Sequence, residues 1–412
     1  MKDDKSTSDD QIKEVENGNV VTPKGFQAAG IYSGVKRSRK DLGAIYSTTP
    51  ANAAAVYTLN QIQAAPLHVT KESIAEDGKI QAIIVNSGNA NACTGKQGEK
   101  DAFTMRKEVA EQFSVKEEYV AVASTGIIGL DMPMDKISSH IPKLDLGETT
   151  THADAFNEAI LTTDTFKKAT CFEATIGGKT VTMGASTKGS GMIEPNMGTM
   201  LSFITTDAEV DQLALQQALK KVIDETFNCI TVDGDTSTND MVLLLANGAA
   251  QNEALTETHE DWDVFVQLLT KTCEHAAKLI AQDGEGATKL IEVEVAGAKT
   301  EEDARKVAKA IVGSSLVKTA VFGTDANWGR IIAAIGYSGV EINPMTIDMA
   351  IGPITLLHNS EQVEFSESEA TSYLQEDEIH IKVDLHLGDC SGKAWGCDLT
   401  YDYVKINASY RS

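Results

Sequence analysis

Basic side chains and long apolar runs are both scarce in this sequence. The 412 residues include 36 Lys and Arg against 60 Asp and Glu, which gives a formal net charge of −24. A protein that binds DNA or RNA usually presents a basic surface to the phosphate backbone. No apolar run approaches the roughly 18 residues that a membrane-spanning helix requires. The sequence therefore argues against nucleic-acid and membrane partners.

A framework of paired cysteines is also missing. No C-x-x-C pair occurs, and the first 18 residues lack the apolar stretch of a secretion signal. We therefore expect reduced thiols and a cytoplasmic protein. Cys390 and Cys397 lie near His386 in sequence, but their spacing fits no zinc pattern, so no metal is expected. The six cysteines are Cys93, Cys171, Cys229, Cys273, Cys390 and Cys397.

The amino terminus differs in composition from the remainder of the chain. Residues 1–18 read MKDDKSTSDDQIKEVENG and contain almost no large apolar side chain. Such a segment cannot bury enough apolar surface to offset its ordering entropy, and we predict a disordered tail over 1–22. The chain as a whole has 42% hydrophobic and 23% charged residues, which is ordinary for a globular protein of one to three domains.

Both hydrophobic periods occur along the chain. Alternating or continuous apolar runs predict strands at 119–123, 290–295 and 379–385. Apolar residues at helical spacing predict helices over 215–227 and 262–280. The second helix should end at Asp283-Gly284, which places Glu285 in a loop before the next strand. The sequence thus predicts a mixed α/β fold.

Residues 188–208 read KGSGMIEPNMGTMLSFITTDA and change character midway. The glycines and Pro195 exclude a regular helix or a central strand from the first half. From Met200 the residues alternate, with Leu201 and Phe203 on one side, which predicts a strand. Thr199 therefore lies where an irregular loop enters a sheet, a position that would hold a nucleophile firmly.

The segment KGSGMIEPNMGTML closely resembles the self-processing segment of the ornithine acetyltransferase (ArgJ) family, whose usual form is KGSGMIxPNMATML. The resemblance extends over residues 23–412, because further family blocks follow in order. These blocks are PKGFQAAG at 23–30, VNSGNANACTG at 85–95, STGIIG at 124–129, TTDT at 162–165, NCITVDGDTSTND at 228–240, DGEGATK at 283–289, GTDANWGR at 323–330 and AWGCDLTYDYVKINASYRS at 394–412.

The resemblance implies an α/β fold of mixed sheets, stacked and flanked by helices. It implies self-cleavage before Thr199 into two interleaved subunits, 23–198 and 199–412, which assemble as a heterotetramer. The implied enzyme of arginine biosynthesis transfers acetyl from N-acetylornithine to glutamate, releasing ornithine and N-acetylglutamate. No cofactor is implied, although acetyl-CoA is a possible second acetyl donor. Gly198 replaces the alanine that is usual in the family, and we expect cleavage to survive this change.

The implied chemistry starts with attack of the Thr199 hydroxyl on the Gly198 carbonyl. Cleavage leaves Thr199 with a free α-amine that can act as base for its own hydroxyl. An α-amine has a pKa of about 7.7–8.0 and a lysine side chain of about 10.4. The amine is therefore the better base, and Lys188 is expected to be an anion-binding cation. The resemblance assigns the oxyanion hole of the acetyl-Thr199 intermediate to Thr125 and Gly126, which we expect in a turn after a strand.

Substrate binding is carried over from the family to residues with suitable chemistry. Lys188 and Thr162 suit a carboxylate and Glu285 suits an ammonium group, although pattern alone does not separate Thr162 from Thr163. VNSGNANACTG lacks the G-K-[ST] ending of a phosphate loop, so we interpret it as structural turns. The full implied set is Thr162, Lys188, Thr199, Glu285, Asn407 and Ser412.

Two alternatives remain open at the level of sequence. A self-processing aminopeptidase or amidase would use a related nucleophile and would release products without an acetyl acceptor. A non-catalytic small-molecule binding protein would retain an uncleaved chain, and Gly198 is the only residue that favours it.

Overall fold

The structure, a computed structural model, describes residues 11–194 and 200–409. These residues form two compact units. The first contains 11–189, 200–223 and 236–276, and the second contains 190–194, 224–235 and 277–409. Their boundaries differ from the predicted subunits 23–198 and 199–412, which describe a covalent cut; that division stays a prediction.

The first unit is built on a mixed sheet with strand order β1-β6-β7-β8-β10-β3-β4-β5, and β2 pairs with β3. The strands are β1 (Ile12–Glu14), β2 (Phe26–Ile31), β3 (Leu42–Tyr57), β4 (Lys79–Asn89), β5 (Val120–Ile127), β6 (Lys168–Ile176), β7 (Lys179–Lys188), β8 (Leu201–Thr206) and β10 (Met241–Ala246). Strand β9 belongs to the second unit.

Helices flank the sheet of the first unit. They are α1 (Ala65–Asp77), α2 (Gly95–Phe113), α3 (Met134–His140) and α4 (Thr150–Ile160). Helices α5 (Gln212–Glu225) and α6 (Trp262–Gln282) begin in the first unit and end in the second.

The alternation of side chains along β4 explains why both faces of this sheet are covered. Ile83 belongs to an apolar cluster that includes Phe156 of α4. Ile84, which points to the opposite face, belongs to a second cluster that includes Met105 of α2. Each residue along the strand therefore finds apolar partners, and burial of both faces stabilises the sheet.

The second unit has a separate mixed sheet with strand order β14-β13-β12-β15-β11-β16-β9. Helix α7 packs against β11 and β16, and Gly396 of β16 lies close enough to α7 that an added Cβ would be 3.0 Å from Val312 Cβ. The strands are β9 (Ile230–Thr231), β11 (Leu290–Ala298), β12 (Asp348–Ile351), β13 (Ile354–His358), β14 (Glu361–Gln362), β15 (Glu378–Asp384) and β16 (Cys390–Cys397). The helices are α7 (Glu301–Gly313), α8 (Ser315–Phe322), α9 (Trp328–Gly336), α10 (Glu367–Tyr373) and α11 (Tyr401–Ala408).

The predicted regular elements are confirmed, with small shifts at their ends. The strands predicted at 119–123, 290–295 and 379–385 are β5, β11 and β15, and the helices predicted over 215–227 and 262–280 are α5 and α6. The mixed α/β class with flanking helices is confirmed. Within the described ranges, no helix is both long enough and apolar enough to cross a membrane.

The predicted disordered tail over 1–22 is wrong for its second half. Residues 12–14 form the edge strand β1, in which Ile12 pairs with Ala174 of β6. Val20 is fully buried, and Thr205 Oγ1 donates a hydrogen bond of 2.8 Å to its carbonyl. Composition alone underestimated this segment because an existing sheet edge supplies the partners that the segment lacks. Residues 1–10 lie outside the described part of the chain.

Candidate active site

A buried carboxylate, Asp164, organises the predicted substrate-binding residues of the first unit. Its Oδ1 accepts hydrogen bonds of 2.7 Å from Lys168 Nζ and from Gly189 N. Its Oδ2 accepts one of 2.9 Å from Thr162 N and lies 3.9 Å from Lys188 Nζ. Two members of the predicted set, Thr162 and Lys188, are therefore brought together by a residue that sequence analysis did not assign.

The charge state of Asp164 follows from these neighbours. Burial on its own would raise the pKa of this carboxyl, but the ammonium groups of Lys188 and Lys168 and the hydrogen bonds outweigh burial and hold the pKa well below its usual range. Asp164 is therefore ionised at neutral pH. A buried carboxylate with these partners fixes both the Thr162 backbone and the position of the Lys188 ammonium group.

Lys188 is the last residue of β7, where it pairs with Leu201 of the antiparallel neighbour β8. Only 8% of Lys188 is exposed. Strand β8 is internal to the sheet, with β7 on one side and β10 on the other, and all six of its residues are buried. The predicted nucleophile Thr199 and its neighbour Gly198 lie outside the described residues, immediately before this firmly held strand.

Asp240 lies beside the start of β8. Its carboxyl accepts hydrogen bonds from the Ser237 side chain and from backbone N–H groups of Met200 and Ser237. Among the described residues, however, Asp240 Oδ2 has no hydrogen-bond partner. Burial raises the pKa of this carboxyl well above its usual range, although Ser237 and Lys188 act in the opposite direction. The cluster thus combines an ionised Asp164 with a carboxyl that favours its neutral form.

Thr125 and Gly126, the predicted oxyanion-hole residues, lie on β5 and not in a turn after it. The strand continues to Ile127, and the irregularity is a shift in its pairing with Gly88 and Asn89 of β4. Gly126 has φ +133°, and a Cβ added there would lie 2.3 Å from Gly88 C. The expected turn is therefore wrong, because glycine on both strands lets two backbones approach closely at a register shift. The oxyanion role stays a prediction.

The asparagines of VNSGNANACTG donate hydrogen bonds to backbone carbonyls at the end of β4 and at the start of α2. Asn86 Nδ2 donates to Asn89 O at 2.9 Å, and Asn91 Nδ2 donates to Gly98 O at 2.8 Å. Asn239 Nδ2 donates to Ser124 O at 2.9 Å, directly before Thr125. The interpretation of the motif as structural turns is therefore wrong for residues 85–89, which form the end of β4, whereas residues 90–94 form the irregular connection to α2.

The second unit brings together two other members of the predicted set. Glu285 lies in the turn after α6, as predicted, and Asn407 lies on α11. Asn407 Nδ2 donates a hydrogen bond of 2.7 Å to Glu285 Oε2. Thr400 caps α11 and its Oγ1 also donates to Gly286 O at 2.6 Å, so the helix is tied to the turn that carries Glu285. Ser412 lies outside the described residues.

Residues 190–193, which belong to the glycine-rich segment, are fixed within the second unit. Asp233 accepts hydrogen bonds from the backbone N–H groups of Met192 at 2.7 Å and Ile193 at 2.8 Å. Glu285 N donates to Ser190 O at 3.1 Å. Met192 adopts φ +57°, a left-handed conformation that is costly for a side chain of this size. The part of the loop that the structure describes is therefore held by specific bonds to the backbone.

A family model, the ArgJ family, matches residues 27–412. The protein named Arginine biosynthesis bifunctional protein ArgJ from Geobacillus kaustophilus is 61% identical over 402 residues, covering 98% of each chain. The chain belongs to the ArgJ family.

Two further proteins illustrate the range of similarity. The protein of the same name from Halalkalibacterium halodurans is 62% identical over 402 residues, which cover 97% of this chain and 98% of that protein. A crystal structure of ornithine acetyltransferase from Mycobacterium tuberculosis, complexed with ornithine, is 33% identical and covers 46% of this chain and 99% of that chain, with a TM-score of 0.42.

For this ArgJ-family chain, sequence reasoning missed Asp164, Asp233 and Asp240. All three lie inside blocks that carry the family resemblance. Asp164 belongs to TTDT, and Asp233 and Asp240 belong to NCITVDGDTSTND. Their chemistry was hidden because important partners lie far away in sequence, such as Lys188 for Asp164 and Met192 for Asp233. The sequence feature that could have identified them is an acidic residue among small polar residues in an otherwise buried region.

The cysteines and histidines do not form a metal site in the described residues. Cys390 and Cys397 are the first and last residues of β16, and strand geometry separates such positions by roughly 23 Å. His386 instead pairs with Asp348, at 2.9 Å, and with Asp384, at 3.5 Å. All six cysteines are free.

Proposed function

We propose that this chain transfers the acetyl group of N-acetylornithine to glutamate in arginine biosynthesis. The observation that carries the proposal is identity of about 60% over nearly the whole chain to proteins named Arginine biosynthesis bifunctional protein ArgJ. An aminopeptidase or amidase would share the nucleophile but would require no acceptor. No feature of the described residues favours that alternative.

The proposed reaction uses Thr199 twice. In self-processing, the Thr199 hydroxyl attacks the Gly198 carbonyl, and water then hydrolyses the resulting ester. In catalysis, the same hydroxyl attacks the acetyl carbonyl of N-acetylornithine, the amide C–N bond breaks, and ornithine leaves with the proton. The amine of glutamate then attacks the acetyl carbon, the ester C–O bond of acetyl-Thr199 breaks, and a proton from the amine returns to the Thr199 hydroxyl. Support comes from the buried strand β8, which starts two residues after Thr199 and is held between β7 and β10.

The described side chains suit specific parts of the substrates. We assign the substrate carboxylate to Lys188 and Thr162, whose positions Asp164 fixes. We assign the α-ammonium group to Glu285, which Asn407 orients. Thr125 and Gly126 would stabilise the oxyanion, and Ser412 would complete the substrate contacts. These assignments use charge-assisted hydrogen bonds, which give both affinity and orientation.

Three wider features belong to the same proposal. Acetyl-CoA serves as a second acetyl donor, which would explain the word bifunctional in the names of the relatives. The two fragments assemble as a heterotetramer, with two copies of each. The enzyme works in the cytoplasm, where the substrates of arginine biosynthesis are expected.

The decisive experiment compares the purified wild-type chain with Thr199→Ala by intact mass and by activity. Wild type should separate into fragments 1–198 and 199–412, and Thr199→Ala should give one intact, inactive chain because the attacking oxygen is gone. Cleavage of Thr199→Ala at the same bond would show that an external protease acts. Cleavage of wild type without ornithine release in the presence of glutamate would contradict the transferase activity.

Initial rates test the covalent intermediate. In this scheme the acetyl group stays covalently bound to Thr199 while ornithine leaves and glutamate enters. Double-reciprocal plots at several glutamate concentrations should therefore be parallel. Intersecting lines together with the absence of acetylated Thr199 in the mass spectrum would contradict this scheme. Release of free acetate without glutamate would instead support the amidase.

A further inference from the structure

The densest group of positive charges in this acidic chain lies in the loop between β2 and β3. Residues 36–40 read KRSRK, so four of five positions carry a cation in a chain of net charge −24. Lys136 of α3 adds a fifth cation, because its Nζ donates to Gly34 O at 2.6 Å. We refer to residues 32–40 together with Lys136 as the basic loop. A local cationic surface in an acidic protein indicates an anionic ligand.

The basic loop is held in one conformation by a buried carboxylate. Asp41 is fully buried and accepts hydrogen bonds from Ser33 N at 2.6 Å, Ser33 Oγ at 2.8 Å, Gly34 N at 3.1 Å and Lys36 N at 2.9 Å. Arg39 has φ +69°, a left-handed conformation that is unfavourable for arginine. The surrounding bonds thus maintain a strained backbone, which positions the cations before a ligand arrives.

Contacts connect the basic loop to the residues around the predicted acetyl site. Lys36 Nζ donates to Leu161 O, directly before Thr162, at 3.0 Å. A Cβ added to Gly88, which pairs with Gly126, would lie 2.8 Å from Lys36 Cγ. Burial lowers the pKa of Lys36 to about 8, although Asp41 acts in the opposite direction. The half-buried Lys36 therefore links the surface of the loop to β4, whose neighbour β5 carries Thr125 and Gly126.

Two guanidinium groups of the loop lack a carboxylate partner, although Arg39 Nη1 donates to Asp164 O at 3.5 Å. Lys40 is paired with Glu158 at 2.7 Å, but in the part of the chain that the structure describes no carboxylate forms an ion pair with Arg37 or Arg39, both of which are exposed. Tyr32, which is 51% exposed, lies beside them and its hydroxyl donates to Arg37 O at 3.3 Å. Exposed guanidinium groups bind phosphate oxygens in pairs, and an exposed aromatic ring can stack on a base.

We infer that the basic loop binds the 3′-phosphoadenosine diphosphate end of acetyl-CoA. Of the proposed substrates, acetyl-CoA alone carries phosphates and an aromatic base. Its long pantetheine arm separates these groups from the thioester, which matches cations on the surface of a loop whose inner residue, Lys36, contacts the carbonyl directly before Thr162. This inference rests on the proposed function. In the reaction, the Thr199 oxygen bonds to the acetyl carbon, the C–S bond breaks, and the hydroxyl proton passes to the thiolate of CoA.

The test measures two reactions and one binding equilibrium with the purified enzyme as it is expressed. Glutamate is acetylated either from N-acetylornithine or from acetyl-CoA, and CoA binding is measured by calorimetry. Arg37→Gln should raise the KM for acetyl-CoA and the Kd for CoA about five- to tenfold, and Arg37→Gln/Arg39→Gln should raise them further. The N-acetylornithine-dependent rate of Arg37→Gln should stay within about twofold of wild type. Adenosine 3′,5′-bisphosphate should compete with acetyl-CoA and should not inhibit the N-acetylornithine reaction.

A matched variant controls for the loss of charge. Lys220→Gln/Lys221→Gln removes two adjacent exposed cations from α5 and should leave the Kd for CoA unchanged. Wild-type enzyme that binds no CoA, or arginine variants that bind CoA as wild type does, would overturn the inference. An equal loss of both reactions in Arg37→Gln would also overturn it, since the loop would then support the site in general. Failure of the proposed function appears separately, as a missing N-acetylornithine reaction in wild type.

Discussion

Asn407 donates a hydrogen bond of 2.7 Å to Glu285 Oε2, and this bond joins helix α11 to the turn that follows α6. The bond fixes one carboxylate oxygen of Glu285. Among the described residues, no side chain or backbone group donates to the other oxygen, Oε1. A carboxylate held on one side in this way is suited to accept a hydrogen bond from a substrate ammonium group.

Glu285→Gln tests which ammonium group this is. Ornithine and glutamate share an α-amino group but have side chains that end in groups of opposite charge. If Glu285 contacts the α-amino position that both substrates share, the half-reactions with ornithine and with glutamate should lose affinity alike. The loss of one charge-assisted hydrogen bond corresponds to roughly ten- to a hundredfold. Pre-steady-state measurement of each half-reaction checks this.

Glutamine keeps the acceptor for Asn407, so the fold of α11 should be retained in this variant. A loss confined to the ornithine half-reaction would place Glu285 at the end of the substrate side chain. Unchanged affinity in both half-reactions would show that Glu285 only supports the structure of the turn.

Gly191→Ala should displace the Glu285 carboxylate while leaving the glutamate side chain itself unaltered. An added Cβ at Gly191 would lie 2.3 Å from Glu285 Cδ, so the carboxylate must move. We expect kcat/KM to fall about tenfold, as for other losses of a positioned hydrogen-bonding group. Gly336→Ala is the control, because nothing lies within 4 Å of its added Cβ. Equal activities of the two variants would show that the position of Glu285 is not critical.

Gly126→Ala separates steric collision from backbone strain. Its Cβ would lie 2.3 Å from the backbone of Gly88, which would force β4 and β5 apart, and φ is +133°. Gly129→Ala has φ +80° but meets no atom within 4 Å, and should cost about 1–2 kcal/mol. Gly126→Ala should cost clearly more in urea unfolding and should abolish acetyl transfer. Comparable unfolding free energies for the two variants would contradict the close approach of the strands.

Asp240→Asn and Asp164→Asn should change stability at neutral pH in opposite directions. Asp240 has a raised pKa when folded, so the native state keeps a proton that the unfolded state releases above about pH 3.9. Stability contributed by that proton is lost as pH rises through the folded pKa. Asparagine cannot ionise, so Asp240→Asn should gain melting temperature relative to wild type as pH increases from 4 to 8.

Asp164 provides the matched opposite case. Its folded pKa is lowered, so its stabilising effect is present above the unfolded pKa of about 3.9 and is lost as pH falls through the folded pKa. Asp164→Asn removes the buried negative charge that faces Lys168 and Lys188 and should cost about 3–5 kcal/mol at pH 7. Melting temperatures of both variants between pH 4 and 8 check the signs. A loss of stability at pH 8 in Asp240→Asn would show that Asp240 is ionised in the folded protein.

Several parts of the fold were accessible from sequence because they depend on local periodicity. The helical spacing of 262–280 and the Asp283-Gly284 stop predicted α6 and placed Glu285 in a turn. The boundary at Met200 was predicted from the change between a glycine-rich loop and an alternating strand. In each case the residues that decide the conformation are neighbours in the chain.

Other parts were inaccessible because their partners are distant in sequence. Residues 12–14 became a strand through pairing with β6, which lies about 160 positions later. Thr125 and Gly126 stayed in a strand because Gly88 allows close approach of β4. No local pattern in the sequence predicts either of these pairing strands.

By itself the sequence determined the family, the regular elements and the chemical types at the site, because these follow from residue identity and local spacing. Tertiary structure decided which charges meet. Asp164 gathers Thr162, Lys168 and Lys188 through a loop and two strand ends, and Asn407 reaches Glu285 across 122 positions of the chain. Interactions between charges depend on distance and burial. Those two quantities exist only after the chain has folded.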